Sequence, residues 1–418
     1  METAANPMEA VDGRSAPGAL ERAAMGLVFK AFSAVREGSL AVRLPDGRER
    51  VFGRGEPRQS LAVKTWAFFP RVAAGGDVAF GEAYTAGDVD TPDLTGLLRI
   101  FVDNADSMSR ANAGLAKVAR AFNRAAHLLR ANTLSGSVKN IDAHYNLGND
   151  MFEVFLDPSL TYSCAYFERP DQTLEEAQKA KRRAILRKAR LEPGQHILEI
   201  GSGWGALALD AVREHGCRVT SLTLSEEQLR HVRALAEREG VADRLKVELC
   251  DYRSMRGSFD RIVSVEMIEA VGHEHLPAFF GACDRLLGPG GLVVLQAITI
   301  PDQRYEEFRR SCDWIQKHIF PGSLVPSVGA LCAAMAKGSR LGVEHVESIG
   351  AHYVPTLRAW KENFLGARSR LEGMGYGREF QRAWEYYFSY CEAGFAARII
   401  GDVQMVLARS AEQVPALA

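Results

Sequence analysis

The sequence predicts an α/β protein with a doubly wound sheet, a helical cap and a smaller mixed α+β domain towards the N-terminus. Three observations carry that expectation. From Leu191 onward, short apolar runs, glycine loops and amphipathic stretches alternate, the rhythm of a parallel sheet covered by helices on both faces. The run "HILEIGSGWGALALDAVREHG" (196–216) places a glycine-rich loop between a strand and a helix. At 418 residues, with 47% hydrophobic and 25% charged residues, the chain can bury a large core and carry a second domain.

Taken in order, residues 1–20 hold acidic groups and prolines without an apolar core, which predicts a flexible tail and no secretory signal. An N-terminal domain over 21–132 follows. In it, "SLAVRLPDGRERVFG" sets Asp46-Gly47 between two strand-like runs, a hairpin signal. "TPDLTGLLRIFVDNA" reads as a capped helix. "GLAKVARAFNRAAHLLRANTL" reads as an amphipathic helix with Lys117, Arg120, Arg124 and Arg130 on its polar positions. The break at "LSGS" (134–137) separates this part from a domain over 133–418. There, 196–216 and "CRVTSLTLSEEQLRHVRALAEREG" are successive strand–loop–helix units. "LKVELCDYRS", "FDRIVSVEMIEAVG" and "LLGPGGLVVLQAITI" supply further strands, and about 305–410 reads as mostly helical and aromatic-rich.

Charge and cysteine usage narrow the function. With 51 Lys+Arg against 52 Asp+Glu the net charge is −1, which argues against attraction of the whole protein to nucleic acid. Seven scattered cysteines without a CxxC pair or other ligand spacing predict reduced, cytoplasmic thiols and no metal site. Nothing approaches eighteen consecutive apolar residues, so no membrane span is expected, although the protein can still lie on a bilayer surface.

In "ILEIGSGWGA", Gly201, Gly203 and Gly205 let backbone approach a ligand at a helix N-terminus. A dinucleotide site would carry an acidic residue at the end of the second strand, but that strand runs "VTSLTLS". The acid lies instead before the glycines, at Glu199, a pattern that resembles the Rossmann-like nucleotide loop of class I S-adenosylmethionine methyltransferases. Asp251 and Tyr252 end a further strand, where such enzymes bind the adenine. Ser225 and Gln228 also fit a helix capping box, and both roles can hold at once.

Longer motifs carry a closer resemblance. "HYNLGNDMFEVFLDPSLTYSCAYF" (144–167), "LEIGSGWGALA", "TLSEEQ", "FDRIVSVEMIEAVGHE" and "SCDWIQKHIFPGSLVPSV" together resemble cyclopropane fatty acid synthases and their mycolic acid relatives, collinearly over roughly 140–400. That resemblance implies methylation of a cis double bond in an acyl chain of a membrane phospholipid. It implies an S-adenosylmethionine site formed by Tyr162, Ser163, Glu199, Gly201, Gly203, Gly205, Thr223, Gln228, Asp251 and Tyr252. The family also holds a bicarbonate ion as base with a cysteine, a glutamate, a histidine and a tyrosine. Cys164, Glu269 and Tyr353 match three of these, and Gln296 stands at the histidine position. Three residues before Glu269, where bacterial members often have glycine, stands Glu266.

An alkene is a feeble nucleophile, so the methyl donor must be held in line with it. Methyl transfer leaves a carbocation, which an apolar channel shelters from water, a nearby anion stabilises and a base then deprotonates. Loss of a proton from the incoming methyl closes a cyclopropane; loss elsewhere after a hydride shift gives a methyl-branched or methylene product. Phe167, Trp314, Tyr353, Trp360 and Tyr387 are candidate channel walls. Glu266 and Glu269 are expected at the carboxyl end of a strand, on one side of a first helical turn. There the Glu266 carboxylate takes the place of bicarbonate, which need not be added, and Gln296 hydrogen-bonds it without titrating. The bland alternative is that both glutamates complement a helix N-terminus, about 0.3–1 kcal/mol each. Cys164 has apolar neighbours and reads as a buried, inert thiol rather than a nucleophile. His144 and Asn149 fit either a loop near the cofactor or a structural turn.

The expected partner is therefore a membrane phospholipid acyl chain, reached by a cytoplasmic protein that transiently contacts the inner face of the membrane. The basic stretches 114–130 and "QKAKRRAILRKARL" (178–191) are candidate docking faces, with solvated helix faces as the plainer reading. A membrane or homodimer role for the N-terminal domain is a further expectation. The rival reading is a small-molecule amine N-methyltransferase of the same fold.

Overall fold

The alternation after Leu191 becomes a seven-stranded sheet in a computed structural model that describes residues 16–111 and 148–409. Contacts divide the chain into two units, one built from 1–123 and 368–397, the other from 124–367 and 398–418. The expected boundary at 132/133 placed 368–397 with the second unit, whereas contacts group it with the first.

In the first unit, β1 (Ser39–Arg43), β2 (Glu49–Gly53), β3 (Arg58–Val63) and β4 (Val89–Asp90) form a sheet of order β2-β1-β3-β4. The Asp46-Gly47 hairpin is present, with β1 and β2 antiparallel and Gly47 at φ +84°. The expected capped helix is Leu94–Asp103, with the Asp93 side chain accepting from the Gly96 N–H. Helix Arg378–Ala396 is tied in by Arg382, which donates to the Tyr84 and Val89 carbonyls at 2.7 and 2.8 Å. The helix expected over 114–130, with most of the tail, lies outside the described residues.

The second unit contains β5 (His196–Ile200), β6 (Arg218–Thr223), β7 (Leu245–Leu249), β8 (Phe259–Val265), β9 (Leu287–Thr299), β10 (Leu341–Ser348) and β11 (Gly401–Arg409). Their order is β10-β11-β9-β8-β5-β6-β7, with β9, β8, β5, β6 and β7 parallel and β11 antiparallel to both of its neighbours. The chain leaves β5 towards β6 and β7, then returns to β8 on the other side. That reversal opens a crevice beyond the carboxyl ends of β5 and β8.

Neighbouring side chains along each strand feed opposite cores. Leu198, Ile262, Val293 and Leu295 join Phe279, Phe280 and Leu331 on one face, while Ile197, Val263, Leu292 and Val294 join Val212, Val232 and Ile185 on the other. Helix Glu226–Arg238 starts at Ser225, whose side chain accepts from the Gln228 N–H. Helix Ala206–His215 stops at Gly216 in the left-handed conformation.

One expectation is corrected here and another is narrowed. The stretch 305–410 supplies strands β10 and β11 besides its helices; β11 is buried on both faces, so it lacks the alternation that announces a half-exposed strand. The basic run 178–191 is open only in part, with Lys179, Arg183 and Arg187 exposed. In helix Leu174–Lys188, Lys181, Arg182 and Lys188 are buried and engaged by Ser163, Asp210 and Glu347 respectively.

Candidate active site

The glycine loop closes β5 onto the crevice. Gly201, Gly203 and Gly205 have φ of +96°, +48° and +89°, a region that strains any residue with a Cβ. Gly201 and Ser202 both donate their N–H to the Leu222 carbonyl, at 3.0 and 2.8 Å, clamping the loop to the end of β6. A Cβ on Gly205 would stand 3.1 Å from the Val232 methyls, so this glycine serves helix packing. Among the described residues, a Cβ on Gly203 would meet nothing within 4 Å. Here the backbone is bare towards a ligand.

That space is a cleft lined by Tyr162, Ser163, Glu199, Gly201, Gly203, Thr223, Gln228, Asp251 and Tyr252, all of them expected, while Gly205 does not line it. Glu199 is buried, accepts a hydrogen bond from the Ser221 hydroxyl, and is pushed up to about 8 by burial. Burial also acts to raise Asp251, but hydrogen bonds from Arg253 at 2.6 and 2.8 Å draw it below the usual range. Burial raises Tyr252 to about 12. Thr223 donates its hydroxyl to Gln228 Oε1 at 2.8 Å, so the Ser225–Gln228 pair forms only the forward half of a capping box. The Trp204 indole N–H donates to Asn149 Oδ1 at 3.0 Å, joining the glycine loop to the helix Asn149–Phe152; His144 lies outside the described residues.

At the end of β8 the chain turns sharply, and no α-helix follows directly. Glu266 adopts φ +46° with its N–H on the Gln296 carbonyl, and Glu269 sits in a single 3-10 turn, Ile268–Ala270. The expectation of one side of a first α-helical turn is corrected accordingly, and the helix-terminus explanation of the two acids falls with it. A non-glycine residue at positive φ costs roughly 1–3 kcal/mol, which the surrounding bonds must offset.

Those bonds converge on the carboxylate. Glu266 Oε1 accepts from the Cys164 N–H at 2.8 Å and from Gln296 Nε2 at 2.7 Å, and Oε2 accepts from the Tyr353 hydroxyl at 2.5 Å. Glu266 itself lines the cleft, whereas Cys164, Gln296 and Tyr353 stand behind it and hold it. Glu269 Oε1 accepts from the Ile298 N–H at 2.5 Å while Oε2 has no hydrogen-bond partner among the described residues; burial and the neighbouring Glu266 charge push this carboxyl up to about 8. Cys164 is wholly buried, and burial pushes its thiol well up, as expected of an inert cysteine. Of the five expected catalytic residues, Glu266 alone lines the cleft; Cys164, Gln296 and Tyr353 hold it from behind, and Glu269 is buried close by without lining the cleft.

Of the expected channel walls, Tyr353 and Trp360 pack together beside Tyr162, with ring centroids 6.1 and 5.2 Å apart. Trp314 is buried and Phe167 half-buried. Tyr387 belongs to the first unit, where it packs on Trp384 and Phe388.

Sequence reasoning missed three groups. Lys181 lines the cleft and donates to Ser163 Oγ at 2.5 Å; burial lowers it to about 8. Asp402 and Gln404 of β11 reach Gln296 from behind, with Gln296 Nε2 donating to Asp402 Oδ2 at 3.2 Å and Gln404 Nε2 donating to Gln296 Oε1 at 2.9 Å. The available signal was the pair of polar residues two apart in "GDVQMVLAR", which places both on one face of a strand.

Comparison with known proteins agrees with this arrangement. The sequence profile of the mycolic acid cyclopropane synthetase family matches residues 133–405. The tuberculostearic acid methyltransferase of Mycobacterium tuberculosis is 36% identical, over 98% of this chain and 99% of its own length. The cyclopropane-fatty-acyl-phospholipid synthase of Escherichia coli is 34% identical over 86% of this chain and 90% of its own. Among solved structures, a mycolic acid cyclopropane synthase in complex with S-adenosylhomocysteine superimposes with a TM-score of 0.57 and 34% identity, covering 65% of this chain and 97% of that one. The bare glycine backbone and the buried acid at the end of β5 fit such a nucleoside ligand.

Proposed function

Starting from the fact that the chain belongs to the mycolic acid cyclopropane synthetase family, we propose that it methylates the cis double bond of an unsaturated acyl chain of a membrane phospholipid, through a carbocation. The chain is an S-adenosylmethionine-dependent methyltransferase. The observation that carries the finer reading is a carboxylate, Glu266, set in the wall of the cleft by three donors.

S-adenosylmethionine supplies an electrophilic methyl group. Tyr162, Ser163, Glu199, Gly201, Gly203, Thr223, Gln228, Asp251 and Tyr252 would hold it. The protein's own task begins when the alkene carbon takes the methyl and its neighbour becomes electron-poor. A fixed anion at that point stabilises the developing charge without reorganising. Glu266 then takes a proton, and the C–H electron pair stays with the substrate. Loss of that proton from the new methyl closes a three-membered ring or, after a hydride shift, leaves a methylene, so the methylene too draws its proton from the methyl and not, as first expected, from elsewhere; a saturated methyl branch needs a hydride donor besides. The Cys164 N–H, Gln296 and Tyr353 keep Glu266 in place where the family uses bicarbonate, so this chain needs no added anion. The aromatic cluster of Tyr162, Tyr353 and Trp360 excludes water from the cation.

Among the described residues no helix is long and apolar enough to cross a membrane. We place the substrate encounter at a bilayer surface, because the double bond must be drawn out of the lipid. An amine substrate is not favoured, since the relatives matching most of the chain are named for fatty acyl products.

The test uses vesicles of monounsaturated phospholipid and S-adenosylmethionine labelled with three deuteriums on its methyl. Lipid with two retained deuteriums is expected for a ring or methylene, separable by hydrogenation, and three for a methyl branch. Glu266→Gln should lower turnover by about 1000-fold or more while binding S-adenosylhomocysteine normally. Unlabelled lipid, labelled amines, full activity of Glu266→Gln, or turnover that demands bicarbonate would each defeat the proposal.

A further inference from the structure

Behind Glu266 lies a second carboxyl group that the chemistry above does not use. Asp402, on β11, is wholly buried. Its Oδ2 accepts at 3.2 Å from the same Gln296 nitrogen that donates to Glu266 Oε1 at 2.7 Å, so the two carboxyl groups are neighbours, and its Oδ1 has no hydrogen-bond partner among the described residues. Gln296 cannot turn round to relieve this. Its Oε1 accepts from Gln404 Nε2 at 2.9 Å, and the Gln404 oxygen in turn accepts from the Lys188 ammonium, which can only donate. One amide nitrogen therefore faces two carboxyl groups, spending one hydrogen on each.

We propose that Asp402 and Glu266 share one proton: Asp402 stays a neutral acid, donates its hydroxyl hydrogen to the Glu266 carboxylate, and so positions the base and confines the negative charge of the site to Glu266. Two ionised carboxylates so close in a buried site repel strongly, and an anionic Oδ1 without a donor would carry a desolvation penalty. A proton on Asp402 removes both costs and adds a fourth donor to Glu266. The groups around the pair leave this intact. Lys181 approaches from helix Leu174–Lys188 but its ammonium is engaged by Ser163; the buried, neutral Cys164 thiol adjoins Asp402 but donates to the Ala165 carbonyl at 3.3 Å; Glu269 offers a further acidic group and no donor; Tyr353 donates to the other Glu266 oxygen. Burial and the Glu266 charge hold the Asp402 carboxyl well above the ordinary carboxylate range. Asp402 is thus a positioning residue, acting through Glu266.

The inference rests on the reading of Glu266 as base, but its first test needs no substrate. Infrared difference spectra of wild type against Asp402→Asn at neutral pH should contain the carbonyl band of a protonated carboxylic acid, lost in the variant. Asn keeps an N–H donor for Glu266, a weaker one, so Asp402→Asn should keep measurable turnover. Asp402→Leu, with no donor, should lower kcat by about 100-fold. If Asp402→Asn does not fold, Glu266→Gln replaces it: without the adjoining charge, the Asp402 band should titrate away at lower pH than in wild type. An infrared band unchanged in Asp402→Asn, or a titration unaltered in Glu266→Gln, would overturn the proposal. Failure of lipid methylation alone would leave the infrared result standing and would count against the function instead.

Discussion

Glu266 is a residue whose backbone and side chain are both bound for one purpose. Its positive φ aims the carboxylate back across the end of β8, where the Cys164 N–H, Gln296 and Tyr353 meet it. Helical spacing from Glu269 suggested a shared face, and the reason proved different: a strained turn rather than a helix. Chemistry at this scale was legible because residue types announce it, since an acid in place of glycine and an amide in place of histidine stand out in a line of sequence. Asp402 was not legible, because its role depends on β11 lying against β9, over a hundred residues away in the chain. Tyr353→Phe tests the cage. Losing a hydrogen bond to a charged group costs about 1.5–3 kcal/mol, roughly a 10- to 100-fold fall in kcat. A variant whose kcat is unchanged would assign Tyr353 to packing alone.

At the scale of elements, the glycine loop divides its labour. Gly205 makes room for Val232 and Leu235 of the neighbouring helix, whereas Gly203 borders the open cleft. Gly205→Ala should therefore destabilise the fold by about 1–3 kcal/mol, combining left-handed strain with a clash. Gly203→Ala carries the backbone strain without the clash. It should melt closer to wild type and instead weaken binding of S-adenosylhomocysteine by about tenfold or more, since its methyl occupies ligand space. Thermal melts and titration calorimetry on both variants check the contrast. Strands β5 to β9 were readable from their flanking glycines and apolar runs. Strands β10 and β11 were obscured, one by its half-exposed, charged edge and the other by burial on both faces. The basic helix Leu174–Lys188 was legible only in part for a related reason. Charge alone cannot say whether a lysine faces water or a buried acid, and Lys181, Arg182 and Lys188 turn inward.

For the whole molecule, buried acids at the cleft link stability to pH. Glu199 and Glu269 are each raised from 4.5 to about 8, so the folded state binds these protons more tightly than the unfolded chain does. Their contribution is full below the unfolded value and fades as pH rises through the folded one. The ligand-free protein should lose melting temperature between about pH 4.5 and 8 from these groups, and Glu199→Gln should flatten that slope. A slope identical in the variant would mean that Glu199 is ionised in the fold. The sequence by itself determined the parallel sheet, the nucleoside loop, the family and the identity of the acid at the end of β8. Each of these is written in local periodicity, turn chemistry or a contiguous motif. Tertiary structure alone decided which charges are buried, that Arg368–Ala397 joins the first unit, and that Asp402 stands behind Glu266. Burial and neighbourhood are properties of pairings between distant segments, and it is desolvation in those pairings that sets where a proton rests.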